Sequence, residues 1–83
     1  MSIQVLFFAG LRQRLGCERV EVPAEVGMTV GSLRAGLVAR GGDWEALAEG
    51  RNIRAALNQD MCSESDDVRD GNEVAFFPPV TGG

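Results

Sequence analysis

The residues whose chemistry stands out form the C-terminal run Phe76-Phe77-Pro78-Pro79-Val80-Thr81-Gly82-Gly83. An apolar, strand-like pair leads into two prolines, which have no N–H for a β-ladder and hold the chain extended. Gly82 and Gly83 carry no side chains, so the terminal α-carboxylate is open on every side. This pattern predicts a carboxylate on a thin arm that enters a narrow pocket of another protein. The alternative is an ordinary frayed terminus.

A terminal carboxylate has to be activated before it can react with a nucleophile. It is ionised at neutral pH and its carbon is a poor electrophile, so a better leaving group must be attached before a nucleophile can attack. The sequence contains neither His nor Lys. It therefore lacks the commonest general base and the lysine of a Gly-x4-Gly-Lys phosphate-binding loop. We expect another protein to activate the carboxylate.

Two other groups of side chains are weaker candidates for chemistry. Cys17 and Cys62 are the only thiols, too few for a four-thiolate zinc or iron–sulfur site, so a ferredoxin-type carrier is excluded. We expect both to be reduced packing residues. Glu64, Asp66 and Asp67 lie in a polar stretch without the spacing of a calcium loop. No metal and no cofactor are predicted for this chain.

The composition predicts one small acidic domain. The chain has 83 residues and a net charge of −4, which argues against a nucleic-acid or anionic-membrane partner. The N-terminus does not have the pattern of a signal peptide, and no apolar stretch reaches membrane-spanning length. We therefore expect a cytoplasmic protein.

The apolar patterns predict a two-layer α+β domain with a sheet of about five strands and one main helix on one face. The predicted strands are Ile3–Phe8, Glu18–Val22 (an edge strand ended by Pro23), Ile53–Leu57, Met61–Cys62 and Glu73–Phe77. The main helix is predicted over Val30–Val38 with Thr29 as its cap, and its Gly31 and Gly36 are expected to allow close packing on the sheet. Shorter helical segments are predicted at Leu11–Leu15, closed by Gly16, and from Trp44, capped by Asp43.

Strand alternation predicts an apolar sheet face that no helix covers. Leu6 and Phe8 point away from the side of Ile3, Val5 and Phe7, and Phe77 points away from the side of Phe76. A single helix layer covers only one of the two faces. The other face is then typical of a partner-docking surface, with partial cover by loops as the alternative. The predicted arm starts at the edge of this patch.

Three segments carry a family resemblance: Val5-Leu6-Phe7-Phe8-Ala9, Ala56-Leu57-Asn58-Gln59 and the closing run from Asp70 to Gly83. Through them the chain resembles, over its full length, the small sulfur-carrier subunit of molybdopterin synthase, a member of the ubiquitin-like β-grasp group. The resemblance implies a β-grasp domain over residues 1–79 and a flexible Gly-Gly arm over residues 80–83.

The resemblance also implies a sulfur-transfer function. An ATP-using enzyme similar to ubiquitin-activating enzymes would adenylate Gly83, and a sulfur donor would convert it to a thiocarboxylate. The arm would then give its sulfur to cyclic pyranopterin monophosphate, building the dithiolene of the molybdenum cofactor. The implied assembly is a heterotetramer with a dimeric large subunit at its centre, and catalysis belongs to this sulfurtransferase complex rather than to the carrier alone.

The resemblance assigns roles to particular residues. Val80, Thr81 and Gly82 would line the channel of the large subunit. Phe8, Phe77 and Met61 match the docking surface of the family, which strand alternation extends to Leu6. Met61 rests on the resemblance alone.

Three other functions remain open from the residues. A related carrier could feed thiazole or another thio-cofactor, although such carriers are usually shorter and lack Phe-Phe-Pro-Pro. A protein modifier would be conjugated through Gly83 to lysines of its targets. A plain interaction domain would carry an inert tail.

Overall fold

The structure is a computed structural model that describes residues 1–48 and 53–78. Its elements, in chain order, are β1 (Ser2–Phe7), α1 (Ala9–Leu15), β2 (Arg19–Pro23), α2 (Val30–Val38), a 3-10 helix (Gly42–Leu47), β3 (Arg54–Leu57), β4 (Asp60–Met61) and β5 (Glu73–Phe77). The strands form one sheet in the order β2-β1-β5-β3-β4. The neighbours β1 and β5 run parallel, and the other neighbouring strands are antiparallel. This arrangement is the β-grasp fold, as predicted.

The core lies between the sheet and α2. Alternation along the two central strands places every second side chain on the α2 side, and these side chains are at most 1% exposed: Ile3, Val5, Phe7, Val74 and Phe76. The apolar stripe of α2 packs onto them through Val30, Leu33 and Leu37. Phe7 also meets the ring of Trp44 edge-on, at a centroid distance of 5.6 Å. The predicted covered face is therefore confirmed.

The limits of β2 differ from the prediction. Its edge position is confirmed, and so is its end at Pro23, although Pro23 is itself paired with Ser2 as the last residue of a strand that runs over Arg19–Pro23 rather than Glu18–Val22. An edge strand tolerates proline because the outer side of the strand has no ladder hydrogen bonds to lose. The predicted limits of β1, β3 and β4 also differ from the observed ones by one residue or so, whereas β5 matches.

The start of α2 follows the sequence closely. Thr29 Oγ1 accepts a hydrogen bond from the Ser32 backbone N–H at 3.1 Å, and Ser32 Oγ accepts one from the Thr29 N–H at 2.9 Å. This capping box satisfies two N–H groups that the helix leaves unpaired. The predicted cap by Asp43 was wrong. The 3-10 helix follows Gly41, whose φ of 77° suits glycine, and no side chain caps it.

The two glycines of α2 have different surroundings. A Cβ on Gly31 would lie 3.2 Å from the carbonyl oxygen of Glu64, whereas a Cβ on Gly36 would meet nothing within 4 Å. The Gly31 N–H donates to that same Glu64 oxygen at 2.9 Å, which draws the segment before β5 against the helix. The expected close packing on the sheet was therefore wrong for both: Gly31 packs on the Glu64 segment, and Gly36 faces open space.

Candidate partner-binding face

The face of the sheet opposite α2 brings together the predicted docking residues that the structure describes. Leu6, Phe8, Met61 and Phe77 all lie outside the core cluster. Phe8 is 47% exposed and Met61 is 62% exposed, which is unusual for large apolar side chains, while Leu6 and Phe77 are half-buried. We call this side of the sheet the open face. The remaining predicted site residues, Val80, Thr81, Gly82 and Gly83, lie outside the described residues, as does Pro79.

The strand register arranges the open face in rows that cross the sheet. Leu6 lies opposite Ala75, Ala75 opposite Ala56, and Ala56 opposite Met61. The two alanines in the middle of this apolar row have short side chains, and Leu6 and Met61 at its ends have larger ones. An open apolar surface of this kind fits a partner better than a small ligand.

A second apolar row lies closer to Pro78. Phe77 is the last residue of β5, and Phe8 follows directly after β1, its N–H donating to the Phe76 carbonyl oxygen at 3.3 Å. Both aromatic side chains therefore lie at the end of the sheet from which Pro78 continues toward Gly83. A groove of about 360 Å³ borders this exit and is lined by Gly10, Leu11, Arg14, Ala46, Ile53 and Pro78.

Charges divide the open face into two halves. Arg19 lies opposite Leu6 and Arg54 lies opposite Phe77, so both guanidinium groups border the apolar rows. On the next row away from the arm, Gln4 lies between Glu21 and Glu73, and its Nε2 donates to Glu21 Oε2 at 3.2 Å. The half near Pro78 is thus apolar and basic, and the other half is polar and acidic.

Three members of the apolar rows and their border were not predicted from the sequence: Arg19, Arg54 and Ala56. Alternation in β3 carried a signal for two of them, since Ala55 and Leu57 face the core and leave Arg54 and Ala56 for the other side. Their arrangement in rows depends on the register between strands, which a single sequence does not show.

The acidic stretch before β5 has a structural role. Glu64 pairs with Arg34 of α2 and Asp66 Oδ2 accepts a hydrogen bond from the Ser63 N–H at 2.9 Å. Among the described residues, no group of three or more His, Cys, Asp or Glu side chains could hold a metal ion. None of the helices in the described ranges is long and apolar enough to cross a membrane.

The two cysteines are free and half-buried. Burial raises the pKa of the Cys62 thiol above its ordinary value, and the nearby Asp66 and Glu64 carboxylates raise it further. A thiol with a raised pKa is a weak nucleophile at neutral pH. The reactive thiolate form of Cys62 is therefore less populated at neutral pH than that of a cysteine with an ordinary pKa.

Comparison with known proteins places the chain in a family. The sequence model of the ThiS family matches residues 5–83, and the chain belongs to this family. The molybdopterin synthase sulfur carrier subunit of Escherichia coli K12 is 44% identical over 98% of this chain and 99% of the relative. The protein of the same name from Haemophilus influenzae is 35% identical over the same shares.

Solved structures show the same fold. The crystal structure of small archaeal modifier protein 1 from Haloferax volcanii superposes with a TM-score of 0.82 at 26% identity, covering 95% of this chain and 98% of that protein. The chain therefore resembles proteins whose names describe two uses of one fold, sulfur transfer and protein modification.

Proposed function

We propose that the chain is the sulfur-carrier subunit of a molybdopterin synthase and that the Gly83 carboxylate carries the sulfur. One structural observation supports this most directly: β5 ends with Phe77 on the open apolar face, and the chain continues from there toward Gly83. A partner that docks on the open face is then in position to receive the arm. The relatives that match the whole chain at 44% and 35% identity bear this function in their names.

The proposed chemistry begins with activation by another enzyme. The Gly83 carboxylate attacks the α-phosphate of ATP and displaces pyrophosphate, which gives an acyl adenylate. Hydrosulfide from a sulfur donor then attacks the acyl carbon, forms the C–S bond, displaces AMP and loses its proton, which leaves a thiocarboxylate. This chain has no Lys or His for such steps, and an enzyme similar to ubiquitin-activating enzymes supplies the ATP site.

Sulfur transfer takes place in the large subunit of the synthase. Val80, Thr81 and Gly82 pass through its channel, and the thiocarboxylate sulfur replaces an oxygen substituent on cyclic pyranopterin monophosphate. Water then cleaves the acyl–sulfur bond, which leaves the sulfur on the pterin and a carboxylate on Gly83. Two carriers supply the two sulfurs of the dithiolene in a heterotetramer. The carrier contributes a tethered nucleophile, whose effective concentration at the bound substrate is high. Docking through Leu6, Phe8, Met61 and Phe77 provides the affinity that holds the arm in place.

A second function, protein modification, is favoured by the structural match to small archaeal modifier protein 1. It uses the same activated Gly83 but transfers the acyl group to a lysine amine of a target protein. The two functions differ in their product: a carrier accumulates a C-terminal thiocarboxylate, and a modifier accumulates isopeptide conjugates. The higher identity to the two sulfur carriers supports the first.

Mass spectrometry of C-terminal fragments tests the proposal. The chain is incubated with ATP, the activating enzyme and a sulfur source, and fragmentation distinguishes sulfur on Gly83 from oxidation of Met1, Met28 or Met61. We expect sulfur on Gly83 and dithiolene formation after addition of the large subunit and the pterin precursor. Deletion of Gly83 should abolish both, whereas Val26→Ala, at an exposed loop position, should retain both.

Two results would contradict the proposal. An unmodified Gly83, with an activating enzyme that is active on another carrier, would indicate an interaction domain with an inert tail. Conjugates of higher mass linked through Gly83, without a thiocarboxylate, would indicate a modifier.

A further inference from the structure

The strongest feature not used by the proposed function is the pair of arginines beside the apolar rows. Arg19 belongs to β2, at one edge of the sheet, and Arg54 belongs to β3, three strand spacings away. Both side chains are exposed. Within residues 1–48 and 53–78, the ion pairs closer than 4.0 Å involve Arg14, Arg34 and Arg69, and not these two.

We propose that Arg19 and Arg54 orient the docked partner by each binding a carboxylate at the border of the partner's apolar surface. This inference rests on the proposed function, because the partner in question is the large subunit of the synthase. The partner surface that fits this arrangement is an apolar patch flanked by two acidic side chains. Three strand spacings and one row place the two acidic side chains roughly 15 Å apart.

The local charge argues for acidic partner residues. The chain as a whole has a net charge of −4, yet among the described residues the half of the open face near Pro78 has Arg19 and Arg54 on its rows, and the carboxylates of Glu21 and Glu73 lie on the row beyond. Arginine suits this role because its planar guanidinium binds a carboxylate through two parallel hydrogen bonds. A partner turned end for end would place its carboxylates on Glu21 and Glu73 and be repelled.

Orientation matters because Pro78, from which the sequence continues to Gly83, lies at one end of the open face. An apolar surface by itself gives affinity with little directional preference. Two charge contacts on opposite sides of the apolar rows fix the rotation of the partner, so that its channel faces the exit at Pro78. Arg19 and Arg54 are therefore positioning residues, which act on docking and not on the reacting atoms.

A second copy of this chain fits the open face less well. It would present the same two arginines beside the same apolar rows. Its own open-face carboxylates, Glu21 and Glu73, lie on the row beyond the apolar patch, so apolar contact and charge pairing compete. The large subunit is free of this conflict.

The test compares charge reversals of equal size on the complete chain. Arg19→Glu, Arg54→Glu and the double variant are mixed with the large subunit in a stopped-flow or surface-binding instrument at low and high salt. Arg69→Glu is the matched control, because Arg69 precedes β5 at the end of the sheet away from the arm and is exposed. Thermal unfolding checks that all the variants fold.

We expect the double variant to associate on the order of 10-fold more slowly at low salt, with a smaller difference at high salt. Arg69→Glu should change the rate by less than about 2-fold. When one acidic residue beside the partner's apolar patch is changed to Arg, the association rate of either Arg19→Glu or Arg54→Glu should return to the native value. The association rate of the other single variant should stay low. This selective rescue distinguishes orientation from a general charge effect.

The failures of the two proposals are distinguishable. If the native chain binds the large subunit and the double variant binds like Arg69→Glu, the orientation proposal is overturned and the proposed function stands. If the native chain itself does not bind the large subunit, the proposed function fails and the orientation proposal with it. If the reversals instead abolish a self-association seen by sedimentation, the open face serves a second copy and the orientation proposal is wrong.

Discussion

Arg34 Nη2 lies 3.1 Å from Glu64 Oε2, which joins the main helix to the segment before β5 by an ion pair that is buried on the arginine side. The Arg34 residue is 6% exposed, its Nη1 donates to the Leu47 carbonyl oxygen at 3.2 Å, and its Cζ lies 5.3 Å from the centroid of the Phe76 ring. Its Nε has no hydrogen-bond partner among the described residues. One side chain thus connects the helix, the 3-10 helix and the central strand.

Removal of Arg34 should cost much of the stability of the domain. Arg34→Ala loses the ion pair, the hydrogen bond and the ring contact together and leaves a cavity, so we expect a loss of about 3 kcal/mol. Glu64→Gln should cost less, about 1–2 kcal/mol, because the Glu64 side chain is 39% exposed and solvent screens its charge. Urea unfolding monitored by circular dichroism measures both changes.

Arg40→Ala is the control for this prediction. Arg40 also lies over an aromatic ring, with its Cζ 4.7 Å from the centroid of Trp44, but it is exposed and no carboxylate among the described residues lies within 4.0 Å of it. We expect Arg40→Ala to lower the free energy of unfolding by only about 0.5–1 kcal/mol. Equal losses for Arg34→Ala and Arg40→Ala would show that burial of the ion pair adds nothing.

Substitution by alanine should have different effects at the two glycines of α2. Gly36→Ala adds a methyl group in open space and removes the entropy cost of glycine in a helix, so it should stabilise the protein by about 0.5–1 kcal/mol. Gly31→Ala places its Cβ 3.2 Å from the Glu64 oxygen and should be neutral or destabilising. Thermal unfolding of the two variants provides the comparison, and a stabilising Gly31→Ala would mean that the Glu64 segment yields easily.

The Cys62 thiol should react slowly with alkylating agents at neutral pH. Burial raises its pKa first, and the negative charge of Asp66 raises it further, so the reactive thiolate is scarce. Asp66→Asn removes that charge while its side-chain oxygen still accepts the Ser63 N–H, and it should speed alkylation by iodoacetamide. Asp67→Asn, an equal charge change at a residue that does not shift this pKa, should have a smaller effect.

The same raised pKa predicts a pH dependence of stability. A thiol whose pKa is higher in the folded state adds stability that is fully present below the thiol pKa of the unfolded chain. This stability is lost as the pH rises through the folded pKa of Cys62, because unfolding then releases a proton. Cys62→Ser should flatten this alkaline decline in urea unfolding, and an unchanged decline would assign it to other groups.

Alanine substitutions at the neighbouring residues Phe7 and Phe8 should affect different properties. The first should lower the stability of the domain, and the second should weaken partner binding. Phe7 is 1% exposed and Phe7→Ala should cost about 3–5 kcal/mol. Phe8 is 47% exposed on the open face, so Phe8→Ala should cost about 1 kcal/mol or less in stability but weaken binding to the large subunit by roughly 30-fold or more. Isothermal titration calorimetry measures the affinity, and native affinity in Phe8→Ala would remove Phe8 from the docking surface.

Local patterns made much of the fold predictable. The Val30–Val38 helix with Thr29 as its cap, the closing strand Glu73–Phe77 and the interior position of β1 follow from apolar periodicity and one hydroxyl. The extent of β2 was less predictable, because whether proline is tolerated depends on which side of the strand is paired. The capping residue of the 3-10 helix was missed because glycine at φ 77° replaced a side-chain cap.

Long-range relationships limited the prediction of the site. Alternation indicated Leu6, Phe8 and Phe77, because each lies in a strand, or directly after one, with two apolar faces. The positions of Arg19 and Arg54 beside the apolar rows depend on the strand order, which brings β2 and β3 to opposite sides of the two central strands. Glu64 looked like a solvated loop residue because its partner, Arg34, is on a helix thirty positions earlier.

The central position of β5 has a mechanical consequence. A partner that pulls on the arm applies tension along β5 from Pro78, and hydrogen bonds to β1 on one side and β3 on the other resist it together. Because this tension acts along β5 and across the hydrogen bonds of both ladders, it loads those bonds together, whereas peeling an edge strand breaks bonds one after another. The central position of β5 therefore makes the domain resistant to a pulling force applied through Pro78. Such a force has to break the hydrogen bonds of both ladders before the domain unfolds.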